Sequence, residues 1–279
     1  MRLGTIRTAS GTSAVRIDGD LAIEIGASDV GALLAAGDWR AQAGAADGPQ
    51  HRIADLSYAP VVPRPGKIIC VGLNYRSHII EMGRDLPEYP TLFAKYPEAL
   101  IGAFDPLTLP AESDQVDWEV ELAVVVGRRV RHADAAAASE AIAGYSIIND
   151  VTMRDWQYRT PEWLQGKTFE ATTPFGPHLV TPDEIAPDAK ISCLVDGEVV
   201  QDSTIADLLF GPVDLVRYIS TILPLDPGDV IATGTMGGVG HARTPPRYLQ
   251  SGQTLVARIE GIGETVSPVG RAPGGDRRR

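Results

Sequence analysis

Apolar and polar positions alternate in short runs along most of the chain, and 29 glycines and 21 prolines punctuate them. That spacing predicts a β-rich fold built from short strands. Strands are predicted over 2–7, 13–17 and 21–25, with a turn at Asp18-Gly19-Asp20. A short helix is predicted over 29–36 with Gly37 as its stop, and the small, polar stretch 37–50 reads as a surface loop. Pro60, Pro63 and Pro65 form a stiff lead-in to a second unit, so a boundary is placed near residue 60. Beyond it, strands are predicted over 67–71, 116–126, 145–148, 191–195, 198–201, 229–232 and 254–260, the last clear one. Asp196-Gly197 marks a tight hairpin. Helices are predicted over 78–83 (capped by Ser77), over 134–143 (capped by Asp134, stopped by Gly144), and over 213–223 after Pro212. Residues 84–115 read as irregular. Many strands and few helices disfavour a regular βαβ alternation. The expectation is an α+β, β-rich chain: a small N-terminal unit over 1–60, a main unit over 61–270, and a disordered tail over 271–279.

Composition narrows the function. With 25 Lys+Arg against 36 Asp+Glu the formal net charge is −11, which argues against nucleic acid or an anionic membrane as the main partner. No apolar run approaches the roughly 20 residues that span a bilayer, and no continuous apolar leader opens the chain. A cytoplasmic protein is expected. The two cysteines, Cys70 and Cys193, sit in apolar runs and read as buried free thiols rather than a disulfide or zinc site.

The chemistry concentrates in a few segments. In Asp117-Trp118-Glu119-Val120-Glu121-Leu122, strand alternation puts the acidic residues on one face and the apolar ones on the other. Glu119 and Glu121 then stand about 6–7 Å apart at Cβ. Two readings are open: a wet, acidic strand face, or a site for a hard divalent cation. Asp150 ends the apolar run Ile147-Ile148-Asn149 and would add a third carboxylate if the two strands met. His78 and Glu81, three apart on a helix, are either a surface pair or a dyad in which Glu81 fixes the imidazole. Lys167, between Gly166 and Thr168, is a surface lysine or a group that holds a carboxylate or oxyanion. Arg154 and Gln157 could add anion and carbonyl contacts. The Gly-rich 233–240 lacks the lysine of a P-loop, and reads as a tight turn that offers N–H groups and the Thr235 hydroxyl. His51, His132, His178 and His241 have no carboxylate in register and read as loop or surface histidines.

Taken in order, these segments resemble the fumarylacetoacetate hydrolase family. The match runs through Lys67-Ile68-Ile69-Cys70-Val71-Gly72-Leu73-Asn74-Tyr75, His78 and Glu81, Trp118 to Leu122, and Asn149-Asp150-Val151-Thr152. It continues through Arg154-Asp155 and Gln157, Gly166-Lys167-Thr168-Phe169, Pro174-Phe175-Gly176-Pro177, Gly228 to Thr235, and Glu260-Gly261-Ile262-Gly263. Residues 1–60 resemble the small N-terminal domain of many bacterial members. The resemblance implies a mixed β-sandwich roll, a homodimer, and Mg²⁺ or Mn²⁺ on Glu119, Glu121 and Asp150. It implies His78 and Glu81 as a water-activating dyad on a lid, Lys167 steadying developing charge, and Arg154, Gln157 and Thr235 as substrate contacts. Met236 departs from the family, which usually has proline there. The activity implied is metal-dependent C–C hydrolysis of a small anionic 2,4-dioxo acid, of acylpyruvate or fumarylpyruvate type, to pyruvate and a carboxylic acid, as in aromatic-compound catabolism. The alternatives at the same site are an isomerase of 2-hydroxyhepta-2,4-diene-1,7-dioate type or an oxaloacetate decarboxylase. A non-catalytic metal-binding protein is a rival of another class.

Overall fold

The structure, a computed structural model, describes residues 1–81, 83 and 85–271, without the side chain of Glu81. The first sixty residues supply β1 (Arg2–Thr8), β2 (Gly11–Asp18), β3 (Leu21–Glu24), α1 (Val30–Ala35), α2 (Trp39–Ala45) and β4 (Gln50–Arg52). Next come β5 (Ile68–Gly72), α3 (Arg76–Glu81), β6 (Thr91–Lys95), β7 (Leu100–Ile101), β8 (Leu107–Leu109) and β9 (Val116–Asp117). The middle of the chain holds β10 (Val120–Val126), α4 (Ala135–Ala141), β11 (Ile142–Asn149), β12 (Thr152–Met153), α5 (Arg154–Gln157), α6 (Leu164–Lys167) and β13 (Thr173–Val180). The last third gives β14 (Lys190–Val195), β15 (Glu198–Thr204), α7 (Pro212–Ile222), β16 (Val230–Ala232), β17 (Thr254–Ile259) and β18 (Gly263–Arg271).

The strands make a large mixed sheet in the order β4-β3-β2-β1-β13-β11-β10-β16-β5-β6, with β7 added to β13. A second sheet runs β15-β14-β17-β18-β8. Most pairings are antiparallel, but β16 runs parallel to β5. The two sheets pack face to face: Val120, Leu122 and Ile147 share a core with Ile191, Cys193, Leu255 and Ala257. Further along the same face, α4 and α7 cover Val124, Val126 and Ile231, while on the opposite face α1 and α2 cover Ala123, Val125 and Ile148. Every residue of β10 is therefore buried. A strand covered on both faces needs no polar side, which is why 122–126 is apolar without alternation. Of the two readings of 117–121, burial of Asp117, Glu119 and Glu121 excludes the wet acidic face.

Residues 1–60 extend the large sheet through β1, where Arg2 and Leu3 face Val180 and Leu179 of β13. Leu3, Leu33 and Leu34 pack in one cluster with Phe175 and Leu179. The stretch read as a loop over 37–50 contains α2, which buries Trp39 and Ala43 one turn apart. Asp29 and Asp134 cap their helices by accepting from Ala32 N and Ala137 N, each at 2.8 Å. The Asp196-Gly197 hairpin joins β14 and β15 as expected, both residues at positive φ.

Several boundaries differ from expectation. Ser77 lies inside α3 and pairs with Asp207 instead of capping. Gly144 stops no helix; it sits in β11, where a Cβ would stand 2.4 Å from Val180 O. Residues 84–115 contain β6, β7 and β8. Beyond the predicted last strand lies β18, whose buried face carries Thr265 and Ser267 and so lacks an apolar signature. Arg271 closes β18 opposite Leu109, and the rest of the expected tail, 272–279, lies outside the described residues. Both cysteines are buried free thiols.

Phe175 has no exposed surface and joins the N-terminal elements to the rest of the core. Phe175→Ala is expected to cost about 3–5 kcal/mol, read as a lower denaturant midpoint with an unchanged slope. A loss well below this range would show that the two parts do not share a core.

Candidate active site

The predicted strand 116–126 breaks after Asp117. At the break, three backbone N–H groups find side-chain acceptors in place of a neighbouring strand. Trp118 N donates to Asp117 Oδ1 (2.8 Å), Glu119 N to Asn149 Oδ1 (2.9 Å) and Val120 N to Gln201 Oε1 (3.1 Å). Register then brings the two acidic segments together. Val120 faces Asn149 across the β10–β11 pair, and Asp150 N donates to Glu119 O at 2.8 Å. Asp150 thus sits beside Glu119, with Glu121 two residues along β10.

Four carboxylates and three cations are buried here: Asp117, Glu119, Glu121 and Asp150 against Lys95, Arg154 and Lys167. Lys167 Nζ donates to Glu119 Oε2 (2.6 Å) and Asp150 Oδ2 (2.8 Å). Lys95 Nζ lies 2.9 Å from Asp150 Oδ1 and donates to Thr173 Oγ1 at 2.8 Å. Arg154 places Nη2 2.7 Å from Glu119 Oε1 and donates from Nε to Asp117 Oδ2 (2.8 Å) and from Nη1 to Gln157 Oε1 (2.9 Å). Glu121 is the exception. Its hydrogen bond among the described residues comes from Gly234 N, 2.7 Å from Oε2. Gly234 has φ +98°, and a Cβ there would stand 2.8 Å from Val71 O, so the turn that aims this N–H requires glycine.

The charges follow from these partners. Burial, then Asp150 and Glu119, push the Glu121 carboxyl well above its ordinary range. Burial also acts on Asp150, but Lys167 and Lys95 outweigh it and hold its carboxyl low. Burial opposes the Lys167 ammonium, yet Asp150 and Glu119 keep it protonated beyond the usual lysine range. Lys167 therefore presents a positive charge to the cluster.

A cavity of about 300 Å³ opens onto this cluster. Its lining includes Glu119, Glu121, Arg154, Gln157, Lys167, Thr235 and His78. The structure thus gathers all the sequence-derived site residues except Glu81, whose side chain lies outside the described residues. Asn74 ties the segment before α3 down through Phe210 N (2.8 Å) and Thr233 O (2.8 Å). The Thr235 hydroxyl donates to Val120 O (2.9 Å) and accepts from Gln201 Nε2 (2.8 Å). Met236 points into the core and does not line the cavity. Gly166 lets α6 touch α5, for a Cβ there would stand 2.5 Å from Gln157 N.

Sequence reasoning missed three residues here. Lys95 ends β6, inside the stretch read as irregular. Gln201 holds both the Val120 N–H and the Thr235 hydroxyl. His241, read as a surface histidine, lines the cavity. His51 also departs from expectation, with Nε2 2.7 Å from Glu24 Oε1 across a strand pair, and burial drives His178 down to about 4 beside Tyr58.

Glu119, Glu121 and Asp150 each bring a carboxylate oxygen within 4.8 Å of the other two. Three buried carboxylates, one with no ion-pair partner among the described residues, form a donor set suited to a hard divalent cation.

Comparison with known proteins agrees. The fumarylacetoacetate (FAA) hydrolase C-terminal family matches residues 67–270, and the chain belongs to that family. The mitochondrial oxaloacetate tautomerase Fahd2a of Rattus norvegicus is 42% identical over 219 residues, 77% of this chain and 70% of that one. Its Homo sapiens counterpart FAHD2A is 41% identical over 220 residues, with the same coverage. A fumarylacetoacetate hydrolase from Exiguobacterium antarcticum superposes with a TM-score of 0.87 at 32% identity, over 98% of this chain and 100% of that one. A 5-carboxymethyl-2-hydroxymuconate delta-isomerase from Mycobacterium smegmatis gives 0.82 at 36%, over 98% and 99%. No helix of the described residues is long and apolar enough to cross a membrane.

A raised Glu121 carboxyl holds a proton that a cation must displace. Mg²⁺ titration by calorimetry in buffers of different ionisation enthalpy is expected to show proton release that diminishes, and affinity that rises, as pH rises. The same shift makes the folded cation-free protein bind more protons than the unfolded chain above the ordinary Glu range. Its stability is therefore expected to fall as pH rises from there toward the Glu121 pKa. Binding with no proton release would contradict the assignment.

Proposed function

We propose that the protein is a divalent-cation-dependent tautomerase or isomerase of small anionic 2-oxo acids, with an oxaloacetate-like dicarboxylate as the fitting substrate. The observation that carries this is the buried Lys167 ammonium, fixed between Glu119 and Asp150 at the floor of a small cavity. A protonated group held there favours an oxygen that gains charge, as a 2-oxo group does on passing to its enolate. Bound Mg²⁺ or Mn²⁺ would be held by Glu119, Glu121 and Asp150 and supply Lewis-acid polarisation of that oxo group. Arg154 and Gln157 line the same cavity and would orient a carboxylate and a carbonyl. His78 reaches the cavity from α3 and serves as the group that would activate a water.

Proton relocation is favoured over C–C hydrolysis by the relatives: two mammalian proteins above 40% identity named oxaloacetate tautomerases, and a structural neighbour named an isomerase. Hydrolysis of a 2,4-dioxo acid stands as the second reading because the neighbour from Exiguobacterium carries a hydrolase name.

The discriminating experiment compares oxaloacetate enol–keto conversion, carbon dioxide release and pyruvate release from acylpyruvates, all with Mg²⁺. Fast enol–keto conversion with little release of either product is expected. His78→Ala is expected to lower any acylpyruvate cleavage by about 10²–10⁴-fold while leaving tautomerisation largely intact, since only cleavage consumes a water. Acylpyruvate cleavage as the dominant wild-type reaction would return the reading to C–C hydrolysis.

A further inference from the structure

His241 follows the Gly-rich turn, in the short 3-10 segment Gly240–Ala242, and lines the same cavity as Lys167 and Arg154. It is held at three points. Its backbone N donates to Asp117 Oδ2 at 2.9 Å. Its Nδ1 lies 2.9 Å from the Tyr248 hydroxyl, which donates on to Gln115 Oε1 at 3.4 Å. The ring packs against Tyr158, with centroids 5.3 Å apart. With the Tyr248 proton directed to Gln115, the hydroxyl accepts from His241, and in that arrangement Nδ1 carries the ring proton and Nε2 keeps its lone pair. Among the described residues no hydrogen bond is made to Nε2.

The charged and titratable groups around the ring are Arg154, Asp117, Tyr158 and Tyr248. Burial, then Arg154, lower the His241 pKa against a smaller opposing effect of Asp117. The imidazole is thus neutral at physiological pH. A neutral imidazole in a substrate cavity, with one nitrogen fixed by a partner and the other unengaged, has the arrangement of an oriented base.

We propose that His241 exchanges a proton with the carbon next to the 2-oxo group of the bound acid, with Tyr248 as its positioning residue. This rests on the tautomerase reading. The C3–H bond breaks and its proton passes to Nε2. The electron pair forms the C2–C3 double bond, and the C2–oxygen π pair moves onto the oxygen, which accepts a hydrogen bond from Lys167. The imidazolium then gives its proton to that oxygen through solvent, leaving the enol and a neutral ring. The reverse path restores the keto acid, and no oxidant or reductant is needed. His78 and His241 so divide the work: His78 serves water, His241 serves carbon.

The test uses the Mg²⁺-loaded wild type with His241→Gln and Tyr248→Phe. His241→Gln is expected to lower kcat for oxaloacetate interconversion by about 10²–10⁴-fold, with KM and Mg²⁺ affinity little changed. Deuterium incorporation at C3 is expected to fall in parallel. Nitrogen-15 NMR of wild-type His241 is expected to show the Nδ1–H ring form, and Tyr248→Phe a mixture of both forms, a change no merely structural loss would produce. An active wild type whose kcat and C3 exchange are unaffected by His241→Gln overturns the proposal alone, as does an Nε2–H ring form in wild type. A wild type that moves no proton on oxaloacetate overturns the tautomerase reading and this proposal together.

Discussion

Removing a carboxylate from water costs several kcal/mol unless an opposite charge or well-aimed donors replace the solvent. Four such groups share one buried volume here, and three of them are matched one way or another by Lys95, Arg154 and Lys167. The fourth, Glu121, receives one backbone N–H and, among the described residues, no ion pair. With every group ionised, four negative charges against three positive ones leave an excess of one. A divalent cation on Glu119, Glu121 and Asp150 would reverse that excess and still leave Lys167 beside the reacting oxygen. The imbalance suits these carboxylates to a cation, whereas full pairing would suit them only to a buried salt-bridge network.

The scaffold holds this arrangement by giving up strand pairing where the chemistry needs room. A continuous strand through 116–126 would have spent the N–H groups of Trp118 and Glu119 on a neighbour. Asp117 and Asn149 take them instead. Asp117 also binds Gly240 N and His241 N and accepts from Arg154. One buried aspartate therefore joins three parts of the pocket: the break in the strand, the guanidinium and the turn that carries His241. Loss of Asp117 would disturb all three without touching the cation ligands directly.

How much of this could be read from the sequence depended on whether a signal was local. The Asp196-Gly197 hairpin, the Asp134 cap and the Glu119/Glu121 spacing are set by residues within a few positions, and these were legible. The meeting of Asp150 with Glu119 was suggested by its place at a strand end, but it is fixed by β10–β11 register. Lys95 was invisible because its strand lies among prolines and glycines and its partner is 55 positions away. His241 was misjudged because Tyr248 reaches it from seven residues on, across Pro245 and Pro246, where neither helical nor strand spacing applies. The α2 segment hid behind alanines and glycines around one informative residue, Trp39. The chemistry of the site was legible as residue types; their charge balance required the fold.

The account turns on Glu121 as the carboxylate that, among the described residues, has no ion-pair partner and is left for a divalent ion. Mn²⁺ binding followed by electron paramagnetic resonance addresses it directly, with Glu121→Gln as the variant because glutamine keeps the size of the side chain and removes only its charge. The account requires a single tightly bound Mn²⁺ per chain in the wild type and loss of that binding in a folded Glu121→Gln protein. A variant that binds Mn²⁺ as tightly as the wild type would contradict it.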